Sequence, residues 1–83
     1  MPATTPDPLF VAFGAAITES RKERGLTQEA LAERAEMNRT YLNDVEKGRR
    51  NISLFNIERL ARALGMSAWE LMREAEARHG RGG

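Results

Sequence analysis

The chain contains no cysteine, so it holds no disulfide framework and offers no thiol chemistry. That absence fits a reducing cytoplasm. Its one histidine, His79, sits near the C-terminal end, and no set of His, Asp and Glu has metal-ligand spacing. No glycine-rich loop follows a strand pattern, and nothing resembles a nucleophile–base pair. A catalytic role, a metal site and a cofactor are therefore not expected. The apolar run "LFVAFGAAI" at residues 9–17 is too short to span a bilayer and lacks the basic lead of a signal peptide. Strand-like alternation and internal repeats are also missing. The formal charge is only +1, so bulk charge does not announce a polyanionic partner and its distribution matters more.

What is present is enough for one small domain. Eighty-three residues, 41% hydrophobic and 30% charged, read as a folded chain with a single core. Positive charge gathers in "KGRRN" at residues 47–51 and in "RKER" at 21–24. Acids gather elsewhere, at Glu29, Glu33 and Glu36 and at Glu70, Glu74 and Glu76. Residues 1–6 are expected to form a disordered lead, 7–78 the folded domain, and 79–83 a flexible tail.

Caps and apolar spacing predict five helices. Asp7-Pro8 opens the first, with Leu9, Phe10, Phe13 and Ile17 inward and Gly25 at its end. Thr27 caps the second, with Ala30, Leu31 and Ala35 inward. Asn38 caps the third, which Gly48 closes. Ser53 caps the fourth, where Ile57, Leu60, Ala61 and Leu64 recur at helical spacing before Gly65. Ser67 and Glu70 form a capping box for the fifth, which carries Trp69, Leu71, Met72 and Ala75. The turn between helices two and three is about three residues long. Helices so joined cross steeply, as in a helix-turn-helix. The fold class is therefore all-α and compact.

Helix three, "NRTYLNDVEKG", buries a narrow seam of Leu42 and Val45, flanked by Tyr41 and Glu46. Thr40, Asn43, Asp44 and Lys47 lie opposite, with Arg39 at the edge of that face. The stretch "GLTQEALAERAEMNRTYLNDVEKGRRN" resembles the helix-turn-helix of the Cro and phage-repressor class, also called the xenobiotic-response-element class. "RTYLNDVEKGRRN" looks most like the controller proteins of restriction–modification systems. The resemblance runs from about Phe13 to Met72 and implies a five-helix, lambda-repressor-like fold.

The resemblance also implies a function. It expects a DNA-binding transcriptional regulator whose third helix enters the major groove of double-stranded DNA. Arg39 would bond guanine, Thr40 a base edge or a thymine methyl, and Asn43 and Asp44 would read bases farther along, Asp44 accepting from cytosine. Gln28 and Tyr41 would meet phosphates, and Lys47, Arg49 and Arg50 would neutralise them. One residue departs from the pattern. Glu36 stands where the family has glycine, at a backbone position that tends to be left-handed and costs another residue roughly 1 kcal/mol.

Two further expectations concern packing. Arg21 falls on the inner face of helix one and Glu46 beside the inner face of helix three. Opposite charges that both point inward should pair, since an isolated buried charge is very costly; the resemblance implies the same link. Trp69, Leu71 and Met72 cover more than half the circumference of helix five, and helix four adds Phe55. Either helix one covers this surface or a second copy does. The partner reading makes Phe55, Trp69 and Met72 the dimer anchors and the operator palindromic, with no small-molecule effector. The rival is an antitoxin-like or adaptor protein that grips another polypeptide through helix five. An RNA-binding role is more remote, because no aromatic platform is exposed for base stacking.

Overall fold

The computed structural model describes residues 7–82. They form five helices: α1 (Pro8–Glu23), α2 (Gln28–Arg34), α3 (Arg39–Glu46), α4 (Leu54–Ala63) and α5 (Ala68–Gly82). Among the described residues there is no strand. The lead expected at residues 1–6 lies outside the described residues.

Each helix begins where a side chain supplies the missing acceptor. Asp7, Thr27, Asn38 and Ser53 are extended N-cap residues whose side chains accept from first-turn amides. For α5 the capping box is reciprocal: Ser67 Oγ accepts from Glu70 N at 3.1 Å, and Glu70 Oε1 accepts from Ser67 N at 2.8 Å.

The helix ends share one device. After α1, α2, α3 and α4 the chain turns through a left-handed residue, and the next amide reaches back to the last turn. Gly25, Gly48 and Gly65 take three of these positions, with φ of 68°, 77° and 76°. Glu36 takes the fourth with φ 55°. Its geometry is that of the others: Met37 N donates to Ala32 O at 2.8 Å, as Met66 N does to Ala61 O. The strain is held in place by α4, whose Arg59 Nη2 donates to the Glu36 carbonyl at 2.6 Å.

The core joins all five helices. Ile17, Leu31, Leu42, Leu60 and Leu71 are fully buried, and Phe13, Val45 and Leu64 nearly so. Helix α1 is the spine, packed along α5 on one side and crossing α3 on the other. That crossing is close. A Cβ on Gly14 would stand 2.5 Å from the Val45 carbonyl oxygen and nearer still to that of Glu46. Gly48 is doubly constrained, since a Cβ there would also lie 2.7 Å from Val11 Cα.

Two expectations change. The tail expected at 79–83 is helical as far as Gly82; Arg78 of the preceding turn pairs with Glu19 of α1, which ties the end of α5 down. Leu9, Phe10 and Ala30, read as inward, are only half-buried.

Candidate nucleic-acid interface

Helix α3 has two unlike sides. Inward, Leu42 and Val45 enter the core, and Glu46 meets α1. Arg21 Nε donates to Glu46 Oε2 at 2.8 Å and Arg21 Nη2 to Oε1 at 3.1 Å, a bidentate pair with side-chain exposures of 13% and 6%. Arg21 Nη1 also donates to the Leu26 carbonyl at 3.0 Å. One guanidinium thus ties together α1, the loop before α2, and α3. Such a fork holds a direction as well as a distance.

Outward, Arg39, Thr40 and Lys47 are exposed, and Asn43 and Asp44 half-buried. Arg39, Asn43 and Lys47 follow one another at four-residue spacing along one edge, with Thr40 beside them. Arg39 Nη1 lies 3.3 Å from Glu29 Oε2 of α2, both well exposed. Asp44 faces the loop after the helix, with Arg49 at 3.9 Å and Arg50 at 3.5 Å. Arg50 also lies over the Tyr41 ring at 5.1 Å, and the Tyr41 hydroxyl accepts from Asn56 Nδ2 at 3.2 Å. Tyr41, Asp44, Arg49 and Arg50 therefore form a second charged edge beside the first.

Two of the expected site residues already have partners within the chain. Gln28 was expected to reach for phosphate. Its amide nitrogen donates to Glu46 Oε1 at 3.0 Å and to Asn43 Oδ1 at 3.2 Å, so both amide hydrogens are taken up inside the motif. Asp44 was expected to accept from a base; here its carboxylate lies in ion-pair range of the two loop arginines, at 3.9 and 3.5 Å. Arg59 and Glu29, which steady the turn and Arg39, have no signal in the sequence beyond being charges at unremarkable positions.

Helices α4 and α5 each leave large apolar side chains uncovered. Leu54, Phe55 and Trp69 are 76%, 66% and 64% exposed. Arginines lie over both rings, Arg59 over Phe55 and Arg73 over Trp69. Leu54 was overlooked in the sequence because its spacing of three from Ile57 places it inward on a helical wheel; the first turn of α4 projects beyond the core. Met72 is half-buried against this chain's own core and lines a cleft with Leu9, Phe10 and Phe13. Helix α1 packs on α5 yet leaves Trp69 uncovered.

Among the described residues no group of His, Cys, Asp and Glu is placed to hold a metal. Nor is any helix among the described residues long and apolar enough to cross a membrane.

A buried seam, a short steep turn and a polar outer helix define a helix-turn-helix protein, and the family pattern for that motif matches residues 17–70. The chain belongs to the helix-turn-helix family and is a transcriptional regulator of that class. Within it, the chain is homologous to restriction–modification controller proteins. It is 37% identical over 67 residues to control protein C.MunI of Mycoplasma sp, spanning 80% of this chain and 90% of that one. The fold is similar to the crystal structure of controller protein C.AhdI from Aeromonas hydrophila, with 45% identity, a TM-score of 0.73, and coverage of 75% of this chain and 94% of that one. It is also similar to the controller protein C.Esp1396I tetramer in complex with its natural 35 base-pair operator, with 27% identity, a TM-score of 0.78, and coverage of 86% and 93%.

Proposed function

We propose that this protein is a sequence-specific DNA-binding regulator that acts as a homodimer on a palindromic operator, in the manner of a restriction–modification controller protein. The observation that carries the reading is the asymmetry of α3. Its inner side is locked to α1 by the Arg21–Glu46 fork, while Arg39 and Thr40 stand exposed on the outer side. A helix held that firmly presents its outer side chains in one register, as base reading in the major groove requires. The operator complex of the similar controller protein supports the same reading.

Arg39 and Thr40 are the first base-reading residues, with Asn43 and Asp44 farther along the helix. Tyr41, Lys47, Arg49 and Arg50 border the helix and meet phosphates, which position without specifying. Leu54, Phe55 and Trp69, with Met72, form the dimer surface; large apolar side chains left exposed on two successive helices fit an interaction site. A two-fold axis there sets two copies of α3 into successive major grooves, about 34 Å apart. The protein works in the cytoplasm, on the nucleoid of a bacterium or on phage DNA, and its role is regulatory and not catalytic.

The same exposed α4–α5 surface favours a second reading, that of an antitoxin-like or adaptor protein gripping another polypeptide. Selection of bound duplexes from a random pool, paired with analytical ultracentrifugation, separates the two. The regulator yields a palindromic consensus and a dimer at tens of micromolar. A protein with no selected sequence, whose function survives Arg39→Ala but not loss of the Trp69 surface, is the adaptor.

A further inference from the structure

A chain of hydrogen bonds leads from the buried ion pair to the outer face of α3, and its polarity follows from the group at its root. Glu46, paired with Arg21, offers only acceptors. The Gln28 amide that meets Glu46 Oε1 must therefore present nitrogen there, and does so at 3.0 Å. The second hydrogen of that nitrogen is directed at Asn43, 3.2 Å away. Asn43 must answer with its oxygen. Its own NH2 is thereby turned away from Gln28. Among the described residues that NH2 has no hydrogen-bond partner.

An asparagine amide left to itself turns over and offers either a donor or an acceptor. Here the carboxylate sets the glutamine and the glutamine sets the asparagine. We propose that Gln28 is a positioning residue that fixes Asn43 as a hydrogen-bond donor toward DNA, so that Asn43 selects a base with an acceptor on its major-groove edge and rejects cytosine. This rests on the DNA-binding reading above and names what one position of the operator must be. Guanine presents N7 and O6, adenine N7 and thymine O4, while cytosine presents only its N4 donor. Asn43 stands one turn beyond Arg39 and Thr40, so the base it reads neighbours theirs in each half-site.

The test is selection of bound duplexes by the parent, Asn43→Asp, Asn43→Ala and Gln28→Met, each first checked for folding by its thermal melt. The parent disfavours cytosine at one position of each half-site. In Asn43→Asp, Gln28 still donates to one oxygen, and the other becomes an acceptor. Preference at that position should swing toward cytosine by about tenfold, the scale of a good base contact. Gln28→Met frees the Asn43 amide and should make the same position degenerate with the rest of the consensus intact. Asn43→Ala should do likewise, and the two carry the test should the aspartate variant not fold. If Gln28→Met and Asn43→Ala weaken binding to all sequences alike and leave the consensus unchanged, the relay is structural and the proposal falls. A parent that selects no sequence at all overturns the DNA-binding reading itself, an outcome distinct from the others.

Discussion

Two arginine–glutamate pairs flank helix α3, and they do opposite things. Arg21 and Glu46 lie on its inner side, 13% and 6% exposed, joined at 2.8 Å. Arg39 and Glu29 lie on its outer side, 61% and 72% exposed, at 3.3 Å. The chemistry is the same and the surroundings differ. Buried, each group has only neutral partners besides the other, the Leu26 carbonyl for Arg21 and the Gln28 amide for Glu46, so breaking the pair leaves the other charge uncompensated. Exposed, water and salt compete for both groups, and the pair contributes about 0–1 kcal/mol. The outer arginine can therefore leave Glu29 for a DNA base at little cost, while the inner one stays where it is. The first pair sets where the helix stands, and the second can open at little cost, as the proposed base reading requires.

The largest test of that contrast is Arg21→Met. It should destabilise the domain by about 3–5 kcal/mol, because Glu46 is left without compensation. Urea unfolding checks it, and a variant as stable as the parent would show the inner pair to be dispensable. Next comes Gly14→Ala, at the crossing of α1 and α3. Backbone carbonyls of Val45 and Glu46 occupy the space a Cβ needs, and backbone cannot swing aside as a side chain can. A loss of about 1–3 kcal/mol in the same experiment is expected. An unchanged midpoint would mean that α3 is not held against α1 as closely as described.

On the outer side, Arg39→Ala should change stability by no more than about 0.5 kcal/mol. It should cost roughly 1–3 kcal/mol in DNA binding and relax one position of each half-site. Titration of matched and mismatched duplexes reads this out. A large drop in melting temperature would erase the distinction between the two pairs. The smallest effect belongs to Glu36→Gly. Glycine removes the cost of a left-handed Cβ, and the bond from Arg59 goes to a carbonyl that glycine retains. A gain of roughly 0.5–1 kcal/mol is expected by thermal unfolding. A loss would mean that the weak ion pair between Arg59 and the Glu36 carboxylate, at 3.5 Å, outweighs the strain.

The parts of this molecule legible in its sequence are local or periodic. Asp7, Thr27, Asn38, Ser53 and Ser67 could be identified as caps because the bond each makes spans two or three residues. The positive φ of Glu36 followed from its place in the motif. The Arg21–Glu46 pair is distant in sequence but was still readable, since two charges on inward faces have few other solutions. Gly14 carried no such sign, because a glycine within a helix looks the same whether or not another backbone lies against it. The intramolecular partners of Gln28 were not legible for a related reason: a polar residue at a helix start is open to solvent or to a neighbour, and only the approach of α3 decides which. The outer residues Arg39, Thr40, Lys47, Arg49 and Arg50 were placed on a surface correctly, and their roles toward DNA await the experiments above.

By itself the sequence determined the five helices, their caps and the seam of α3, since each depends on neighbours within a few residues or on a repeat along one face; the class of the protein came from its resemblance to a known family. Tertiary structure alone decided how closely α1 meets α3, which way the Asn43 amide points, and which apolar side chains remain uncovered. Those depend on the crossing of helices far apart in the chain, where a few tenths of an ångström separates contact from clash and one hydrogen bond fixes the direction of the next.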